Sequence, residues 1–270
     1  MLIRNGGVGK TTTTVNLGNE LARNGKKVLL IDLDPQGDLT TSLGFKNQDN
    51  MEITIKNLME KVIQEKPLNK REGILNCKEG VDLVPANIEL EALEMSLIKF
   101  MNKENILKNY INQVKTDYDY ILIDCRPSLG LLTINALATA DSVIIPVQAQ
   151  YLPLKGMTQL LQTIDKTRVQ INPKLKIEGI LLTIVDMKTR LAKTTIETLR
   201  ASYGKRIKIF NTIIPMGIKA AESTIEGKSI YDYSKKSKPA IAYEEFAKEV
   251  LKNQARDKFR TSESRWNIKI

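Results

Sequence analysis

Histidine is absent from all 270 residues. Every histidine-based triad, dyad and metal site is thereby excluded, and acid–base work falls to carboxylates, lysines or water. Only two cysteines occur, Cys77 and Cys125, far apart and without CxxC spacing, which argues against a disulfide framework or a zinc site. Cys125 directly follows Asp124 on an apolar run and Cys77 lies in a polar stretch, so neither suits an iron–sulfur loop. No apolar run approaches the ~20 residues that span a bilayer, and the N-terminus carries no secretory apolar region with a cleavage site. A cytosolic protein is expected. Internal repeats and Gly/Ser- or Pro-rich linkers are also missing. The expectation is one domain over 1–252, with the polar stretch 46–80 as a helical excursion and 253–270 as a basic, disordered tail.

What is abundant is positive charge. Lys and Arg number 41 against 31 Asp and Glu, a formal +10, which favours a polyanionic partner. The excess is uneven. Between Lys188 and Lys219 stand Lys188, Arg190, Lys193, Arg200, Lys205, Arg206, Lys208 and Lys219, opposed by Glu197 alone.

Apolar patterning alternates along the chain. "KVLLIDLD" (27–34), "YDYILIDC" (118–125), "SVIIPVQ" (142–148), "IEGILLTIV" (177–185) and "IKIFNTIIP" (207–215) are continuous apolar runs, the signature of parallel strands covered on both faces. Amphipathic stretches predict helices over 11–24 (stopping at Gly25), 88–100, 129–140, 153–170, 191–203 and 240–252. The β-α alternation implies a doubly wound α/β domain, a mostly parallel sheet with helices on both faces.

Three motifs fall where such a sheet binds ligands, beyond the carboxyl ends of its strands. The first is "RNGGVGKTTTT" (4–14). Gly6, Gly7 and Gly9 let successive N–H groups face one concavity, completed by the N-terminus of the next helix. Lys10 can place its charge between β- and γ-phosphates, and the Thr11 hydroxyl can ligate Mg²⁺. The strict pattern G-x-x-x-x-G-K-[ST] nevertheless fails, because its first glycine falls on Arg4. The second motif is "LLIDLDPQGD", whose Asp32 and Asp34 share one side of the strand by its two-residue period; one of them capping a turn is the bland alternative. The third is "YILIDCRPSLG", where Asp124 ends an apolar strand and suits a direct or water-bridged Mg²⁺ carboxylate.

Together "GGVGKTTTTVNLG", "KVLLIDLDPQGDLTTSLG", "DYDYILIDCRPSLGLLTINAL", "ADSVIIPVQAQYLPLKGM" and "GKSIYDYSKKS" resemble the ParA-type partition ATPases. These belong to the deviant Walker-A branch of P-loop NTPases, which also holds the cell-division ATPase MinD and the nitrogenase iron protein. The resemblance runs in order from about residue 5 to residue 252. The branch reads K-G-G-x-G-K-[ST], so the mismatch at Arg4 is what it implies. It further implies ATP and Mg²⁺ as cofactors, with Gly6, Gly7, Val8, Gly9, Lys10, Thr11 and Thr12 around the phosphates. Thr11, Asp34 and Asp124 would serve the metal, Asp34 and Lys10 would be catalytic, and "IIPMG" (213–217), with Pro215 and Met216, would hold the adenine. The family's cycle implies an ATP-sandwich homodimer that binds double-stranded DNA non-specifically. A ParB-like centromere-binding partner stimulates hydrolysis and release, on behalf of a plasmid or mobile element, in a cytoplasmic, nucleoid-associated protein. Lys188, Arg190 and Lys219 are the DNA candidates.

The chain departs from the pattern at several places. The family's first motif lysine, which reaches the partner's nucleotide, is here Asn5, shorter and uncharged. Weaker dimerisation or slower hydrolysis is expected. Arg126 stands where the family has proline, either as a substitute arginine finger or as a solvated side chain. Only Met1 to Ile3 remain for the first strand, which the family places centrally. Lys188 and Lys219 replace arginines, and Met216 replaces another. Two readings compete with partition. One is a catalytically weakened nucleotide-binding, DNA-associated regulatory module. The other is a MinD-like membrane-surface ATPase using Phe259, Trp266 and Ile270 in the tail, although Ser262, Glu263 and Ser264 interrupt its apolar face and no stable membrane association is expected.

Overall fold

The strand β1 (Val28–Leu33) is buried at every position, so it needs cover on both faces, and it has it. The computed structural model describes the backbone of residues 7–149 and 154–263, and side-chain surroundings for 7–149 and 156–255. The chain begins with α1 (Lys10–Arg23), then β1, α2 (Asp38–Ser42), α3 (Ile55–Ile63), β2 (Leu75–Asn76) and β3 (Asp82–Val84). There follow α4 (Glu89–Leu97), α5 (Ile106–Val114), β4 (Tyr120–Cys125), α6 (Leu131–Thr139), β5 (Ser142–Gln148) and α7 (Leu154–Gln170). The last third holds β6 (Lys176–Val185), α8 (Arg190–Tyr203), β7 (Ile209–Pro215), α9 (Ile218–Glu226), α10 (Ile230–Ser234) and α11 (Lys238–Glu263).

Among the described residues the strands form two sheets, ordered β2-β3-β1-β4 and β5-β6-β7. All pairings are parallel except the short antiparallel β2–β3. Alternation along β1 divides the core. Leu29, Ile31 and Leu33 face a cluster with α3 to α8, which also takes Val143, Ile145, Ile180 and Leu182 from the second sheet. Val28 and Leu30 face α1, α10 and α11. Helices therefore cover both faces, as the doubly wound expectation requires. The strand expected of residues 1–3 lies outside the described residues.

Two local expectations meet the structure directly. Helix α1 ends as its Gly25 foretells. Gly25, at φ +75°, donates to Ala22 O, and Lys26 N donates to Leu21 O at 3.1 Å, the paired bonds of a Schellman stop. The tail differs: α11 does not stop near residue 252 but continues to Glu263. The stretch 253–263 has no Gly or Pro and contains good helix formers. Among the residues with described side chains, Val250 is the last buried hydrophobe of α11, and Leu251 beside it is partly buried against the same cluster. Just beyond, Gln254 Oε1 accepts from the Tyr120 hydroxyl at 2.7 Å. The stretch 46–80 does carry a helix, but α3 belongs to the main core, with Ile55, Leu58 and Met59 fully buried. Phe259 lacks a described side chain, and Trp266 and Ile270 lie outside the described residues. No described helix is long and apolar enough to cross a membrane.

Candidate functional site

The loop before α1 is shaped by two glycines in the left-handed region, Gly7 at φ +77° and Gly9 at φ +76°. A side chain at either position would be strained. The neighbouring structure fixes what the glycines permit. Thr183 on β6 donates to Val8 O at 2.8 Å. Thr13 donates to Gly9 O at 2.6 Å, and its hydroxyl also meets Tyr243 of α11 at 3.2 Å. The loop is thus tied to the second sheet and to the last helix. At the end of β6, Ile184 has φ +52°, an outlier for a β-branched residue. Its side chain and Thr183 would lie 3.8 Å from a Cβ on Gly9.

Lys10 opens α1 and is almost fully buried, 7% exposed. Burial lowers its pKa, and the negative charges of Asp124 and Asp34 oppose that shift. Thr11 donates to Asp124 Oδ2 at 2.6 Å and Thr14 reaches Asp124 Oδ1 at 3.5 Å. Asp124 is 2% exposed; burial pushes its carboxyl up to about 6, against the Thr11 hydrogen bond and the Lys10 charge. The structure therefore brings together Gly7, Val8, Gly9, Lys10, Thr11 and Asp124. Gly6, like Asn5 and Arg4, lies outside the described residues.

Asp32 and Asp124 are register partners on adjacent strands, yet they have different surroundings. Asp32 turns to α2. Its Oδ2 accepts from Thr40 N at 2.9 Å and from the Thr40 hydroxyl at 2.7 Å, and its Oδ1 accepts from Asp34 N at 3.2 Å. Fully buried, it is pushed up to about 8 by desolvation and by the Asp124 charge. The bland alternative, a carboxylate that organises a turn, is the one Asp32 adopts. Asp34 lies just past β1, half-buried, with Oδ1 accepting from Gln36 N at 3.1 Å. Asp38, which the motif reading passed over, opens α2. Burial first, then Asp34, raises its pKa, and Lys10 opposes the shift. Its position directly after "DPQG", at a helix start, was the available signal.

Thr12 is half-buried, and its carbonyl accepts from Asn16 at 2.7 Å. Pro215 pairs with Val185, and Met216 donates to Val185 O at 3.0 Å. This sets the segment 213–217 one strand from the loop, with the Met216 side chain 53% exposed. Lys188, on the turn after β6, and Arg190, which opens α8, are exposed. Lys219, also exposed, pairs with Glu222 at 2.9 Å and lies 5.4 Å from the Tyr233 ring centroid. Arg126 is engaged by α4: it meets Glu94 at 2.8 Å and Glu91 at 3.9 Å.

Chemically, a curled N–H loop with a buried lysine at a helix N-terminus suits a polyphosphate. The Thr11 hydroxyl beside the Asp124 carboxylate is an all-oxygen pair that fits Mg²⁺. Among the described residues no three acidic or cysteine side chains converge as a complete cage.

Comparison with known proteins agrees with this geometry. A family described as an AAA domain matches residues 1–177. The sporulation initiation inhibitor protein Soj of Bacillus subtilis is 42% identical over 252 residues, covering 92% of this chain and 95% of that protein. The chromosome partitioning protein ParA of Myxococcus xanthus is 41% identical over 249 residues, covering 92% and 85%. Among solved structures, a cobyrinic acid a,c-diamide synthase from Mycobacterium smegmatis with bound ADP and magnesium superposes with a TM-score of 0.80. Its identity is 34%, covering 93% of this chain and 92% of that one.

Proposed function

The chain belongs to the ParA/Soj family of partitioning ATPases, and on that premise we propose that it is a Mg²⁺-dependent ATPase switch that segregates a DNA element. The observation that carries the reading is the Lys10–Thr11–Asp124 arrangement under the Gly7–Gly9 loop, with the Thr11 hydroxyl 2.6 Å from Asp124. Lys10 holds the β- and γ-phosphates, with its ammonium worth more in a desolvated pocket than in water. Thr11 and Asp124 hold Mg²⁺, which when bound offsets phosphate charge. Asp34 orients the attacking water; with histidine absent, a carboxylate is the fitting group. Pro215 and Met216 border the adenine.

In this reading ATP joins two copies of the chain, and the dimer binds double-stranded DNA without sequence preference through Lys188, Arg190 and their basic neighbours. A ParB-like partner stimulates hydrolysis and release, and the protein resides on the nucleoid. Asn5 weakens the contact across the dimer. An Asn5→Lys variant should therefore raise ATP-dependent self-association, measured by sedimentation.

The deciding experiment is fluorescence anisotropy of a random-sequence duplex with Mg²⁺ and ATP, ADP or no nucleotide. Binding with ATP only, falling steeply with salt, supports the switch. Binding indifferent to nucleotide would replace it with a regulatory module whose switch is broken. No binding under any condition would remove DNA as the partner.

A further inference from the structure

Asp34 sits on a turn whose bonds are mostly its own. Gly37 N donates to Asp34 O at 2.9 Å, Gln36 N to Asp34 Oδ1 at 3.1 Å, and Thr41 N to Gly37 O at 3.0 Å. Gly37 has φ +66°, the left-handed conformation that such a turn asks of a glycine. Local bonds of this kind fix the shape of the turn. They do not fix where it rests on the protein.

A residue from the polar stretch 46–80 reaches back over it. Gln48 opens the single helical turn Gln48–Asn50, and its Nε2 donates to Gln36 O at 2.9 Å. Its amide lies against Gly37: a Cβ there would be 2.7 Å from Nε2, 2.8 Å from Cδ and 3.0 Å from Oε1. Gly37 is accordingly buried, although Gln36 and Asp38 on either side are exposed. The carbonyl partner decides which way the amide points, since only the NH₂ end can donate. Oε1 is then buried without a hydrogen-bond partner among the described residues, which costs stability. Methionine would cover Gly37 with no such cost. What the glutamine adds is the donated bond to the turn.

We propose that Gln48 is a positioning residue for ATP hydrolysis, clamping the 34–38 turn so that Asp34 stays directed at the phosphate loop. This rests on the water-orienting role given to Asp34 above. Burial lowers the Lys10 pKa, and Asp34, after Asp124, is close enough for its charge to oppose that shift, so the clamped turn already presents Asp34 to the site. Nucleotide affinity belongs to Lys10 and Thr11 at the head of α1, and the clamp therefore acts on turnover.

The test uses the full chain and Gln48→Met, which keeps the cover over Gly37 and removes the donor. Phosphate release with Mg²⁺ and ATP should show kcat lowered about threefold to tenfold with KM unchanged, the mark of an interaction used only in the transition state. The melting temperature should stay level or rise, because the unmatched oxygen is gone. Without nucleotide, hydrogen exchange at Gly37 and Thr41 should quicken. In an Asp34→Ala background Gln48→Met should lower kcat no further, as for two residues that act as a unit. Unchanged exchange would overturn the clamp, and faster exchange with unchanged kcat would overturn the positioning role. A kcat loss that persists in full on Asp34→Ala would mean general damage and would overturn it as well. If Asp34→Ala alone turns over like the wild type, the water assignment fails and the positioning role falls with it. The exchange measurement, which needs no ATP, still decides whether Gln48 holds the turn.

Discussion

The ends of β1 and β4 carry the same three letters, Leu-Ile-Asp, in the same register on adjacent parallel strands, and they do different work. Asp32 is closed off by Thr40 and the backbone of Asp34. Asp124 is met by Thr11 from the phosphate loop and lies within the field of Lys10. Both are buried to 2% exposure or less. A carboxylate's role here is set by which element packs over the strand end, α2 for one and the head of α1 for the other.

Breaking the pair one member at a time separates the roles. The largest effect is expected from Asp124→Asn, which keeps shape and removes charge. Turnover should fall about 10²-fold or more, as for loss of a group that stabilises developing charge, while thermal stability stays level or rises because a buried like charge is gone. A phosphate-release assay beside a melting curve checks both. Asp32→Ala should do the reverse, costing about 2–4 kcal/mol of folding stability by stranding the Thr40 N–H at the start of α2. Urea unfolding measures it. A variant that melts normally would mean that α2 does not depend on this carboxylate.

A pH series sharpens the same contrast. Both carboxyls are raised in the folded chain, Asp32 to about 8 and Asp124 to about 6, above the ordinary aspartate value near 4 of an unfolded chain. Between those values the folded state binds more protons than the unfolded state, so their contribution to stability falls as pH rises. Asp124 contributes this loss from about pH 4 to 6, and Asp32 continues it to about 8, each with a slope of at most about 1.4 kcal/mol per pH unit. Urea midpoints at pH 6 and pH 8 should differ for the wild type, with the gap reduced in Asp32→Asn.

Much of this was legible beforehand. The five long apolar runs became β1, β4, β5, β6 and β7, because buried parallel strands leave an unbroken apolar record. That the Gly7–Gly9 loop, Lys10, Thr11 and Asp124 come together was readable from where their motifs fall, a glycine turn before a helix and an aspartate ending an apolar strand. What escaped depended on distant or short elements. β3 is only Asp82–Val84, too brief for a pattern. α5 lies in a stretch without a recognisable motif, although Leu107 and Tyr110 prove buried. Asp32 finds Thr40 eight residues on, and Arg126 finds Glu94 on another helix; no local period encodes either. The helical course of α11 past residue 252 was not legible, because 253–263 lacks the apolar periodicity by which a helix is read.

The smallest predicted effect probes how the phosphate loop is held rather than which groups line it. Thr183 is 1% exposed, and its hydroxyl donates to Val8 O at 2.8 Å, the bond that ties the loop to β6. Thr183→Val preserves shape and leaves that carbonyl without its donor, which should cost about 1 kcal/mol. If the bond only stabilises the fold, nucleotide affinity stays unchanged while the melting temperature drops. If it shapes the Gly7–Gly9 curve, nucleotide affinity should weaken by about threefold to tenfold as well, because a loop free to sample other conformations must be ordered on binding. Titration of a fluorescent ATP analogue against both proteins separates these outcomes. The second is expected, since Ile184, the neighbour of Thr183, is held in its strained left-handed conformation directly against Gly9.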